Sequence, residues 1–187
     1  MLITLPNVLT FLRIAAVPFF AILVWYGSMA EACILFMAAG LTDALDGWLA
    51  RKLNQKSALG AILDPAADKL LITTAFILLS FPKEALVVRI PPWVAILAIS
   101  RDFVIALVAL LASTHFDPEK FRPSILGKLT TFLELTAISL SLVMNTLGPC
   151  PWFRYLVPWV FYLLAALVVA SGMHYFFRAA GPGAEAH

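Results

Sequence analysis

Apolar residues run along the chain in long blocks, separated by short breaks that carry Pro, Gly or charge, and this pattern predicts helices long enough to cross a membrane. Six blocks stand out: roughly Leu9 to Tyr26, Ala32 to Leu53, Ala66 to Phe81, Pro92 to Ala112, Ser124 to Thr146 and Trp152 to Phe177. The third is short for a span of about 20 residues, and it reaches back toward Ala58 if Pro65 lies at a kink and not at a helix start. Short connections favour antiparallel neighbours. The expectation is therefore an all-α polytopic membrane protein with six transmembrane helices in one bundle. Residues 1–178 would form that single domain, and the small, polar stretch at 179–187 a flexible C-terminal tail. The N-terminus lacks the basic region and small-residue cleavage site of a signal peptide, so the first span is expected to be retained.

Composition agrees with the pattern and removes several functions. The chain has 187 residues, 62% hydrophobic and 13% charged, whereas soluble domains carry roughly a quarter charged residues. Cys33 and Cys150 cannot build a disulfide framework and neither belongs to a C-x-x-C. His115, His174 and His187 have no zinc-ligand spacing to one another or to a cysteine. The net charge of +2 is small and the basic residues are scattered, which leaves no case for nucleic acid.

The scatter does have a direction. If six spans alternate, Arg13, Arg51, Lys52, Lys56, Lys120, Arg122, Lys128 and Arg178 lie near the face that carries both termini, against Lys83, Arg89 and Arg154 near the other. Basic residues collect on the cytoplasmic side, so both termini are expected there, as in a bacterial cytoplasmic membrane.

Acidic residues collect near the same face. Asp43, Asp46, Gly47 and Ala50 stand at i, i+3, i+4 and i+7 at the end of the second block, which is one helical face. Gly60, Asp64 and Asp68 follow at i, i+4 and i+8 as the third begins. The connection between them is short, so the four carboxylates are expected to converge at the mouth of the bundle. Crowded carboxylates raise one another's affinity for protons, and a divalent cation relieves that repulsion. All-oxygen donors suit hard ions such as Mg²⁺, Mn²⁺ or Ca²⁺. Gly47, Ala50 and Gly60 would give clearance to a bulky ligand, with Arg51 available to an anion. Small residues on membrane helices also serve helix packing, and isolated aspartates can sit in ion pairs; four intramembrane acids together are too costly for that account alone.

Three further charges lie in apolar surroundings. Arg101 and Asp102 fall in the fourth block and Lys128 near the start of the fifth. They could be structural pairs, Arg101 with Asp102 and Lys128 with Glu134, or Lys128 could snorkel to the interface. The functional alternative is a basic pocket facing the aspartates, with Arg101 and Lys128 binding a phosphate on an acceptor molecule. A reading from another class is a cation-binding or cation-transporting membrane protein, which requires acids spread through the bilayer depth; here they gather at one face.

The string from Asp43 to Arg51, then eight residues, then Gly60 to Asp68 resembles the signature of the CDP-alcohol phosphatidyltransferases, D-x2-D-G-x2-A-R-x8–9-G-x3-D-x3-D, with every specified position present. The resemblance implies a six-helix, homodimeric membrane enzyme that uses Mg²⁺ or Mn²⁺ to move a phosphatidyl group from CDP-diacylglycerol to an acceptor alcohol, releasing CMP. It implies Asp43, Asp46, Asp64 and Asp68 at the metal, Asp68 also as general base, and Gly47, Ala50, Arg51 and Gly60 at the cytidine nucleotide. The opening "LPNVLTFLRIAAVP" and the segment "GAILDPAADKLL" look like the branch of phosphatidylglycerophosphate synthases and CDP-alcohol type cardiolipin synthases. In that branch Asn7 and Arg13 would help hold the nucleotide or an acceptor phosphate, although Asn7 also suits a plain helix cap. The Arg101-Asp102 pair departs from the Arg-Glu usual in the first group and leans toward the second, whereas "LGK" and "SGMHYFF" lean back. Glycerol 3-phosphate is the favoured acceptor and phosphatidylglycerol the alternative.

Overall fold

The computed structural model describes the chain path of residues 5–53, 58–82, 86–115, 125–148 and 151–180, and the side chains of 8–42, 63–64, 66–82, 86–107, 125–148, 151 and 155–174. Among the described residues the protein is all-helical: α1 Leu5–Tyr26, α2 Met29–Leu53, α3 Ala58–Ser80, α4 Pro92–His115, α5 Ile125–Leu147 and α6 Pro151–Ala180, with no strand. These bounds follow the apolar blocks to within a few residues, except that α3 begins at Ala58 and runs on through residue 65. Within the described residues, Val8–Tyr26, Ile125–Leu147 and Tyr155–His174 are long and apolar enough to cross a membrane, and α2 contributes the shorter apolar stretch Met29–Thr42.

The helices pack in a closed circuit. In order around it α1 meets α2, α2 meets α5, α5 meets α6, α6 meets α4, α4 meets α3 and α3 returns to α1, with α3 and α5 also touching across the middle. Bulky apolar residues line the interior, among them Phe20, Ile72, Phe76, Leu79 and Leu142. They interleave with Ala32, Ala39, Ala75, Ala98 and Ala137, all buried. Small residues let helix backbones approach closely, which matters where lipid removes the hydrophobic drive for one helix to seek another. The rings of Phe20 and Phe36 meet at 5.8 Å and 45°, joining α1 to α2. Leu12, Phe19, Ile34, Ile96, Phe103 and Phe132 point outward and exposed, the arrangement a hydrocarbon solvent permits.

The turns are tied by backbone bonds. Gly27, at φ 82°, ends α1: its N–H donates to Val24 O at 3.2 Å and the Ser28 N–H to Leu23 O at 2.9 Å, a Schellman arrangement that needs a left-handed residue. Ser28 O then accepts the first bond of α2, from Ala32 N–H at 3.0 Å. The link from α3 to α4 is held at the far end by Asn145 of α5. Its Oδ1 accepts from the Val87 and Val88 N–H groups at 2.6 and 3.0 Å, and its Nδ2 donates to Val88 O at 2.7 Å and Ser141 O at 2.8 Å. Pro92 opens α4 at a position where a missing N–H costs nothing.

Candidate active site

Asp64 and Asp68 stand four residues apart on α3, about 6 Å along its axis, and both are half-buried. Helix α1 lies against them. The Thr10 hydroxyl, from a residue with no exposed surface, donates a hydrogen bond to Asp64 Oδ1. Arg13 follows Thr10 by three residues and so shares its face of α1; it is 2% exposed. The α1–α3 seam thereby joins one predicted site carboxylate, Asp64, to α1 through a threonine that no motif had marked; Asp68 lies one turn further along α3, and Arg13 one turn further along α1.

Residues 43–51 continue α2 as helix. The side chains of Asp43, Asp46, Gly47, Ala50, Arg51, Gly60 and Asn7 lie outside the described residues. Carboxylate oxygens are the donors a hard divalent cation takes, and Asp64 and Asp68 supply them at one-turn spacing. Among the described residues alone no set of three metal-ligating side chains is complete. The α3 pair therefore fits as half of a site whose other half would come from the α2 pair.

A second polar group begins one residue past Asp68. Lys69 Nζ lies 2.5 Å from Asp102 Oδ2 and 3.5 Å from Glu134 Oε2. Asp102 Oδ1 accepts from Arg101 Nη1 at 2.7 Å, and Arg101 Nη2 donates to the Ser171 hydroxyl at 2.9 Å. The group thus joins α3, α4, α5 and α6. The Arg101–Asp102 pair considered from the sequence is present. Glu134, in contrast, faces Lys69 and not Lys128, which is exposed six residues earlier on α5, about 9 Å along the axis. Six residues place two side chains on different faces of a helix, whereas Lys69 approaches from a neighbouring one. Arg101 remains buried, and its Nε has no hydrogen-bond partner among the described residues.

Comparison with known proteins supplies the chemical context. A family model described as CDP-alcohol phosphatidyltransferase matches residues 3–174. A Bacillus subtilis protein named CDP-diacylglycerol--glycerol-3-phosphate 3-phosphatidyltransferase is 35% identical over 190 positions, covering 92% of this chain and 93% of the relative. An Arabidopsis thaliana protein, CDP-diacylglycerol--glycerol-3-phosphate 3-phosphatidyltransferase 2, is 38% identical over 151 residues, 75% of this chain and 64% of its own length. A rice protein named cardiolipin synthase (CMP-forming) is 36% identical over 153 residues, 75% of this chain and 46% of its own length. The chain thus spans less than two thirds of these plant relatives and nearly all of the bacterial one.

Proposed function

The chain belongs to the CDP-alcohol phosphatidyltransferase family, and from that premise we propose that it makes phosphatidylglycerophosphate, transferring the phosphatidyl group of CDP-diacylglycerol to the hydroxyl of glycerol 3-phosphate and releasing CMP. The observation that carries this choice of acceptor is the near end-to-end match to the Bacillus subtilis relative, whose name states those two substrates. Phosphatidylglycerol is the second reading, favoured by the rice relative and by the Arg101-Asp102 sequence.

Members of this family are generally dependent on a divalent metal. Asp43, Asp46, Asp64 and Asp68 would hold Mg²⁺ or Mn²⁺. When bound, the cation would neutralise charge on the pyrophosphate and on the departing CMP. Asp68 accepts the proton of the acceptor hydroxyl as its oxygen bonds to the phosphatidyl phosphorus and the bridging oxygen leaves with CMP. Gly47, Ala50 and Gly60 give the nucleotide access to the helix backbones, and Arg51 and Asn7 bind it. Arg101, Lys128 and Arg13 bind the acceptor phosphate; support comes from the burial of Arg101 and Arg13 and from the uncommitted Arg101 Nε. A phosphate takes two parallel hydrogen bonds from a guanidinium more readily than an uncharged alcohol does.

All six helices would span the bilayer as one domain over residues 1–178, with the tail 179–187, both termini and the acids on the cytoplasmic side of a bacterial membrane, and the enzyme would work as a homodimer. Lipid chains would reach the acids sideways between helices.

The test is CMP release by the purified protein with CDP-diacylglycerol and Mg²⁺ or Mn²⁺, offered glycerol 3-phosphate and phosphatidylglycerol in separate reactions. Turnover with glycerol 3-phosphate supports the proposal. Turnover with phosphatidylglycerol alone makes the protein a cardiolipin synthase, and cation flux in liposomes without CMP release refutes the transferase reading. Asp68→Asn should abolish turnover and leave CDP-diacylglycerol binding in place; near-normal turnover removes Asp68 from the base role.

A further inference from the structure

We infer that the end of the bundle remote from Asp64 carries a girdle of tryptophan and tyrosine side chains whose partner is the headgroup–acyl boundary of a phospholipid leaflet, and that these rings set the depth at which the bundle sits. This inference rests on the bilayer-spanning reading above. Every tryptophan and tyrosine whose side chain is described is exposed: Trp25, Tyr26, Trp93, Tyr155, Trp159 and Tyr162. Trp25 and Tyr26 close α1, Trp93 stands in the first turn of α4, and the other three lie in the first half of α6. Those ends coincide in space. Thr10 meets Asp64 near the starts of α1 and α3 and the two helices pack on from there, so both leave Asp64 in the same direction. Helix α4 starts where α3 ends, with the Ile90 N–H donating to Leu79 O at 3.1 Å just before Pro92. Helix α6 runs parallel to α4, since Trp93 meets Tyr162 at 5.9 Å and, farther on, Arg101 reaches Ser171.

Away from that end the outward face changes character. The exposed side chains deeper along α4 and α6 include Ile96, Phe103, Leu107 and Val169, which have no polar atom. Trp and Tyr instead pair an apolar ring with one N–H or O–H, and a boundary between hydrocarbon and wet headgroups satisfies both parts. Trp159 stays 71% exposed and Tyr162 61%, although their rings touch at 6.4 Å and 65°; the cluster with Trp93 is ordered by its own contacts and still faces outward. Arg89, exposed four residues before Trp93, adds a cation for the lipid phosphates at the same boundary. Arg101 comes eight residues after Trp93 and Ser171 nine after Tyr162, about 12 and 14 Å along their helices. Hydrocarbon is about 30 Å thick, so rings held at one boundary put the Arg101 group near the bilayer centre. Asp64, five residues before Lys69 on α3, then lies about 8 Å beyond that group toward the opposite surface. The girdle thereby fixes how far the acids stand from that surface.

The test is tryptophan fluorescence of the full-length protein in phosphatidylcholine–phosphatidylglycerol vesicles whose acyl chains carry bromine, a contact quencher, at a chosen depth. One variant keeps Trp93 alone and another keeps Trp159 alone, with the remaining tryptophans replaced by Phe. Each should lose most emission to bromine placed high on the acyl chain and least to bromine at the chain end. Greater loss to the chain end would put the rings in the hydrocarbon, loss to a water-soluble quencher alone would put them in solvent, and protection from both would mean that a second copy or another protein covers them; any of the three overturns the inference. If these variants do not fold, Trp93→Phe and Trp159→Phe decide, because the quenching that each removes from the wild-type signal gives that ring's depth by subtraction. A wild-type protein stripped from the vesicles by alkaline carbonate would sink the bilayer-spanning reading itself, a distinct result from a firmly embedded protein whose rings are quenched at the wrong depth.

Discussion

Replacing Thr10 by Val tests whether α1 helps shape the acid site. The two side chains are close in shape, and Thr10 has no exposed surface, so packing changes little while the hydroxyl that donates to Asp64 is removed. A hydrogen bond to a charged group contributes about 1.5–3 kcal/mol. Asp64 is half-buried and water can replace part of that bond, which places the expected loss near the lower end. If the bond fixes the carboxylate for its ion, ~1.4 kcal/mol appears as roughly a tenfold rise in the Mg²⁺ concentration that half-saturates CMP release. Thr10→Ser keeps the donor and should remain within about threefold of the wild type on the same scale. Wild-type Mg²⁺ dependence in Thr10→Val would refute the positioning role of the hydroxyl. Equal impairment in Thr10→Ser, which keeps the donor, would assign the effect to packing at this buried position and not to the hydrogen bond.

Two other substitutions separate chemistry from scaffold. Arg101→Lys can keep the ion pair with Asp102 but cannot also span to Ser171, so the KM for glycerol 3-phosphate should rise about tenfold with the KM for CDP-diacylglycerol little changed; the reverse pattern in steady-state kinetics would move Arg101 to the nucleotide side. Asn145→Ala removes four hydrogen bonds, three of which fasten the α3–α4 link while the fourth runs to Ser141 O on α5 itself. It should lower stability by about 2 kcal/mol in detergent unfolding, with water repairing some of the exposed bonds, and leave kcat unaltered; a normal unfolding midpoint would show that the link does not depend on this side chain.

The helices were legible because long apolar blocks are a coarse signal that survives uncertainty at each end, and three of them, among the described residues, are long and apolar enough to cross a membrane. The start of α3 was harder to read: Pro65 disfavours helix in the residue before it, yet the backbone is helical from Ala58 onward. The one-turn spacing of Asp64 and Asp68 could be read directly, since it depends on one helix alone. Thr10 could not be found that way, because its significance depends on which face of α1 meets α3, a fact of packing across 54 residues of sequence. The buried charges divide in the same manner. Arg101 and Asp102 are sequence neighbours and their pairing could be anticipated, whereas the partner of Glu134 lies on another helix and local reasoning offered Lys128 instead.

The circuit of helices also has a modular aspect. Each consecutive pair, α1 with α2, α3 with α4 and α5 with α6, is a hairpin whose members touch, and each hairpin touches the other two. The proposed metal acids are divided between the first hairpin and the second, and the Lys69 group between the second and the third. No hairpin therefore carries a complete centre, and a chain arrested partway through membrane insertion would be inert toward nucleotide lipids. Activity becomes a report on assembly: co-produced fragments divided between hairpins should regain it only when all three pieces find one another.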